Sequence, residues 1–180
     1  MTERDTRLAE AVRLRESGRP EEARVRLVAL AEELPTDAQV AYQTAWVHDT
    51  LGLEAQAVPH YRRALSLPGG LSAHERENAV LGLGSTYRVL GEYQQAVDTL
   101  TTASAEFPEN GALKAFLAMA LFNVGRHHDA MELLLTLVAT TSDDPNVAEY
   151  RPAIEHYARD LNETVGEGAV VDGAEPEAAV

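Results

Sequence analysis

The sequence predicts an all-α protein, a right-handed α-solenoid of four helix–turn–helix units closed by a C-terminal capping helix. Three observations predict it. Gly18, Gly52, Gly91 and Gly125 recur at intervals of 34, 39 and 34 residues. Ala23, Ala57, Ala96 and Ala130 follow each glycine by five residues, and Ala11, Ala45, Gly84 and Ala118 precede it by seven. Pro35, Pro68 and Pro108 close three of the units, eleven or twelve residues past the alanine. A glycine ends one helix, paired small residues let two helix backbones approach, and a proline stops the second helix. A lone hairpin of this kind cannot bury its apolar face, so consecutive hairpins must stack.

The first unit, residues 4–37, turns at SGRPEEARVRL, with Pro20 at a first-turn position where proline is tolerated. The second, 38–71, turns at LGLEAQAVPHY, and Pro59 inside its second helix removes one backbone bond and predicts a kink. The third, 77–110, has the clearest register: Val80, Leu83, Gly84 and Tyr87 share one helical face, and Ala96, Leu100 and Ala103 stripe the next helix. Here Gly84 is expected to face Ala96. The longer second interval comes from PGGLSAHERE (68–77), where Ser72 and Glu75 fit a capping box and start the helix a turn early.

The fourth unit, 111–144, turns at VGRHHDAMELL and runs into MELLLTLV (131–138), too apolar to end the array uncovered. A capping helix is therefore predicted over 145–164, with Asp144 as N-cap and Pro145 at N1. Val147, Tyr150, Ile154, Tyr157 and Leu161 form its apolar stripe, and Pro152 should bend or split it after Tyr150. Residues 165–180, VGEGAVVDGAEPEAAV, lack periodicity and read as a flexible acidic tail.

Composition narrows the function classes. The 180 residues carry a net charge of −14, which disfavours nucleic acid and anionic lipid as partners. No stretch approaches the roughly 20 apolar residues of a membrane span, and no export signal is read, which places the chain in the cytoplasm. With no cysteine, disulfides, thiolate metal sites and cysteine nucleophiles are excluded together. His127, His128 and Asp129 are the densest set of metal-ligand types, but adjacent helical residues diverge by about 100° and rarely share one ion. His127 falls instead in a packing slot, leaving one histidine packed and one solvated. His48 and Asp49 lack a nucleophile, so His48 reads as a core histidine. GLGS (82–85) suggests a phosphate loop only until its mid-helix context is noted. No enzyme, cofactor or metal site is expected.

The period and punctuation resemble those of the tetratricopeptide repeat (TPR) family. The TTSDDP ending with its Tyr-rich cap also resembles a small bacterial TPR family of unassigned function thought to dimerise. The first resemblance implies that the first helix of each unit lines a concave surface, with positions 2, 5, 6, 9, 12 and 13 facing solvent. These are Leu8, Val12 and Arg15 from the first unit, and Gln39, Tyr42, Gln43, Trp46 and Asp49 from the second. The third supplies Asn78, Leu81, Ser85 and Arg88, and the fourth Phe116, Met119, Phe122 and Asn123. The Lys and Asn, then Lys and Arg, of the family's carboxylate clamps are replaced by Leu8, Val12, Asn78 and Gly82, so that mode is absent. The expected function is a non-catalytic protein-interaction module that holds an apolar peptide or helix in the groove. The alternative is a self-associating protein whose groove or capping helix forms a homodimer interface.

Overall fold

The computed structural model describes residues 2–164; the predicted tail lies outside them. The elements are α1 Glu3–Glu16, α2 Pro20–Glu33, α3 Ala38–Thr50, α4 Glu54–Ser66, α5 Ala73–Val89, α6 Tyr93–Glu106, α7 Gly111–Asn123, α8 His127–Thr141 and α9 Pro145–Arg159. No strand is present among the described residues.

The four hairpins share one turn. Gly18, Gly52, Gly91 and Gly125 have φ of +78°, +68°, +80° and +81°, a left-handed conformation that a Cβ would strain. The next residue's N–H reaches five residues back: Arg19 to the Leu14 carbonyl at 3.0 Å, and Leu53 to His48, Glu92 to Tyr87 and Arg126 to Leu121, each at 2.9 Å. This closes the last turn of the first helix and aims the chain into the second.

Helix starts follow local chemistry. Asp37, Ser72, Asn110 and Asp144 cap α3, α5, α7 and α9 through side-chain bonds to backbone N–H groups. Ser72 and Glu75 complete the expected capping box, and α5 is the longest helix, with 17 residues.

α1 touches α3, α3 touches α5 and α5 touches α7, whereas no two even helices touch. The odd helices are thus the closer set and line the inner, concave side. Between the layers lie three apolar clusters, each spanning more than one hairpin: Leu27, Leu30 and Val47; Tyr42, Tyr61 and Leu83; and Leu100, Leu113 and Leu121. A fully buried leucine such as Leu27 or Leu100 stabilises the fold by about 1.5–3 kcal/mol.

The three atoms nearest a Cβ on Gly84 all belong to Leu100, four residues beyond Ala96 on α6. Two expectations change. Pro152 does not split the cap, since α9 runs unbroken through it, as α4 runs through Pro59. Both prolines are exposed, and the carbonyls that they deprive belong to the exposed residues Ala55 and Ala148, where water can replace the lost bond. The predicted apolar stripe of α9 is only partly its packing face. Val147 and Ile154 are half-buried, but Tyr150 is 61% exposed, Tyr157 55% and Leu161 46%. The buried residues of the two helices are alanines, Ala130 and Ala139 on α8 and Ala158 on α9, and Arg151 donates to the Ala139 carbonyl at 2.7 Å. Small residues there let the backbones approach and leave the tyrosines outside.

The cap also covers less than expected. α9 packs on α8 and does not reach α7, unlike every earlier odd helix. Met131, Leu134 and Val138 of MELLLTLV consequently remain exposed.

Candidate concave binding face

All the predicted groove residues except Arg15 and Phe116 line one of three depressions along the odd-helix side. The first, between α1 and α3, takes Leu8, Val12, Gln39 and Gln43, with Glu75 at its edge. The middle one, about 400 Å³, takes Tyr42, Trp46, Asp49, Asn78, Leu81 and Ser85, together with Tyr61 and Gly82. The last takes Arg88, Met119, Phe122 and Asn123 with Ala118, His127, Ala130, Met131 and Leu134.

Not all of these side chains face solvent. Leu8, Arg15 and Tyr42 are buried and form the floor. Burial pushes the Tyr42 phenol up to about 12 and lowers Arg15 from its ordinary value. Arg15 is held between α1 and α3, its guanidinium 3.6 Å from the Trp46 ring centre and bonded to Gln43. Trp46 is in turn 5.6 Å from the Tyr42 ring. Phe116 is half-buried against the last cluster, whereas Phe122 is 61% exposed and Met119 44%.

The histidines differ from expectation in one respect. His48 is buried and its Nδ1 bonds the Thr44 carbonyl at 2.7 Å, as a core histidine should. His127, expected in a packing slot, is exposed and leans on Phe122 with ring centres 4.6 Å apart, while His128 is half-buried.

The glycine pair of GLGS serves helix packing. A Cβ on Gly82 would lie 2.5 Å from the ring carbon Cζ of Tyr61, and one on Gly84 would lie 2.5 Å from Leu100 Cγ. The room at Gly82 lets Tyr61 of α4 reach Asp49 of α3, its hydroxyl donating to the carboxylate at 2.7 Å. Thr86, one turn beyond Gly82, stands 2.9 and 3.0 Å from the two Asp49 oxygens. Burial raises the Asp49 pKa above the usual carboxylate value, against the two hydroxyl bonds. Tyr61 and Thr86 were not singled out from sequence. The available signal was a hydroxyl at repeat positions where other units carry Leu27 or Leu100, and Val47.

The last depression is the most apolar, because α9 leaves α7 and part of α8 bare. Its polar groups are Arg88, Asn123 and His127, and the buried Nε of Arg88 has no hydrogen-bond partner among the described residues. Methionine and aromatic side chains on an open apolar surface of this kind are typical of sites that accept another polypeptide.

Comparison with known proteins agrees with this architecture. The family model described as "Tetratrico peptide repeat" matches residues 38–161. No curated protein matches the chain significantly. Among solved structures, MamA 41-end from Desulfovibrio magneticus RS-1 superposes with a TM-score of 0.63 at 19% identity, covering 91% of this chain and 99% of that one. Pseudomonas aeruginosa pilF superposes with a TM-score of 0.64 at 21% identity, covering 90% and 77%. At these identities the likeness is one of fold.

Proposed function

Because the chain belongs to the tetratricopeptide repeat family, whose repeats generally mediate contacts between proteins, we propose that it is a non-catalytic interaction module. Its concave face holds an apolar helical segment of a partner protein. The observation that carries this reading is the last depression, where Met119, Phe122, Met131 and Leu134 present open apolar surface beside Arg88. An amphipathic helix laid along α7 and α8 would cover that surface, as helices do in apolar grooves generally. Exposed rings on rigid helices are also good anchors, because little side-chain freedom is lost on binding. The test is selection of peptides from a displayed random library on the wild-type protein, followed by binding to a Met119→Ala/Phe122→Ala variant. Apolar helix-forming sequences should be enriched and should lose about tenfold in affinity on the variant. Absence of enrichment, or ligands indifferent to the two substitutions, would contradict the reading.

A second reading is self-association through α9 and the turn after it, favoured by the exposed Tyr150, Tyr157 and Leu161. Light scattering distinguishes it: a dimer that becomes a monomer on Tyr157→Glu supports it, and a wild-type monomer at micromolar concentration excludes it.

A further inference from the structure

We propose that the middle depression receives a cationic side chain of the bound partner, an arginine or a lysine, whose charge is met by Asp49. The inference rests on the groove reading above and names the chemistry of one subsite within it.

Asp49 is half-buried at the floor of that depression. Its two oxygens offer about four lone-pair sites. Tyr61 supplies one proton at 2.7 Å. Thr86 lies within 3.0 Å of both oxygens, but its one hydroxyl proton is also within reach of the Gly82 carbonyl at 2.7 Å. At most two protons therefore serve the carboxylate, and both come from neutral groups. Among the described residues no Lys, Arg or His lies in ion-pair range of Asp49. Glu54 adds negative potential nearby, His48 a smaller opposing influence, and burial withholds water from the charge. A desolvated carboxylate with spare lone pairs and no ion-pair partner gains most from a cation arriving from outside.

The walls suit the same ligand. Tyr42, Trp46 and Tyr61 line the same depression as the carboxylate, and aromatic rings attract ammonium and guanidinium groups. Arg15 demonstrates the preference from within the protein, lying over Trp46 at 3.6 Å. Its own hydrogen bond goes to Gln43, however, and none goes to Asp49. Asn78 and Ser85 at the mouth add acceptor oxygens for the remaining donors of a guanidinium.

The plain alternative is that Asp49 only ties α3, α4 and α5 together. Asp49→Asn separates the two, because the amide oxygen still accepts from Tyr61 and Thr86 but carries no charge. The probes are a capped amphipathic peptide of alanine and leucine with one central arginine, and its twin with citrulline in that place. Trp46, the one tryptophan in the chain, reports binding by fluorescence. The arginine peptide should bind wild type about tenfold tighter than the citrulline peptide, and less than about twofold tighter on Asp49→Asn. Equal affinities on wild type, or a tenfold preference that survives Asp49→Asn, would overturn the inference and leave the groove reading standing. Failure of both peptides to bind either protein would overturn the groove reading and this inference with it.

Discussion

Gly84 of α5 packs against Leu100 of α6 so closely that a Cβ on the glycine would lie 2.5 Å from Leu100 Cγ and 2.7 Å from Cδ2. The atom in the way is the branch point of a fully buried side chain, which cannot swing aside. Gly84→Ala should therefore destabilise the third hairpin despite its better helix propensity. Overpacking at about 1–3 kcal/mol outweighs the roughly 1 kcal/mol that alanine returns in propensity. Ala96→Leu has no such offset at a position of 0% exposure and should cost about 1–3 kcal/mol. Urea denaturation measures both, and unchanged midpoints would show the packing to be looser than described.

The first two hairpins are joined by Arg4 and Asp37, with Nε and Nη2 each 2.7 Å from a carboxylate oxygen. Burial alone would raise the Asp37 pKa, but Arg4 and the Val40 N–H together hold it below the usual carboxylate value. The contribution of the pair is therefore present above the unfolded carboxylate pKa, about 4, and is lost as pH falls through the lower folded value. Arg4→Ala should lower stability by about 1 kcal/mol at pH 7. The deficit should vanish in melts taken well below pH 4, and a constant deficit would assign the effect to packing of the Arg4 stem.

Asp49 has the opposite sign. Burial, the largest influence, raises its folded-state pKa despite the bonds from Tyr61 and Thr86. The folded chain keeps this proton longer than the unfolded chain, so the group's contribution is full below about pH 4. It is lost as pH rises through the higher folded value. Relative to wild type, Asp49→Asn should gain stability between pH 4 and 7. Thermal melts across that range should show the difference growing with pH, whereas a difference that shrinks would mean the carboxylate is stabilised by folding.

Phe122 and Trp46 should behave differently although both face the groove. Phe122 is 61% exposed, and its loss should change stability by no more than about 0.5 kcal/mol. Trp46 covers the buried guanidinium of Arg15, so Trp46→Ala should cost about 1 kcal/mol. Denaturation of the two single variants separates these roles, and equal costs would remove the Arg15–Trp46 contact from the energetics.

Much of the fold was legible because its determinants are local and repeated. Gly18, Gly52, Gly91 and Gly125 mark the turns, and Ser72 with Glu75 announces the early start of α5. The residues that line the odd-helix depressions were legible by register, since a position on the inner face of one odd helix implies its counterpart 34 or 39 residues on. What escaped depends on how helices meet across the array. Gly82 reads alone as a weak helix residue, and only the approach of α4 to α5 shows that it makes room for Tyr61. The exposure of Tyr150 and Tyr157 likewise depends on how α9 rotates on α8, where the buried side chains are Ala130, Ala139 and Ala158. A three- and four-residue stripe of large residues cannot reveal that the smaller residues beside it form the seam.

Binding of partners to the inner face of the odd helices can be tested in one titration series. A peptide selected on the wild-type protein is titrated against three folded proteins: wild type, a Trp46→Ala/Phe122→Ala variant, and Val25→Ala. Val25 is 65% exposed on α2, outside the three depressions, so it controls for general surface effects. The concave variant should lose at least about tenfold in affinity, with Val25→Ala within about twofold of wild type. Full affinity in the concave variant, or an equal loss in Val25→Ala, would contradict binding at the inner face.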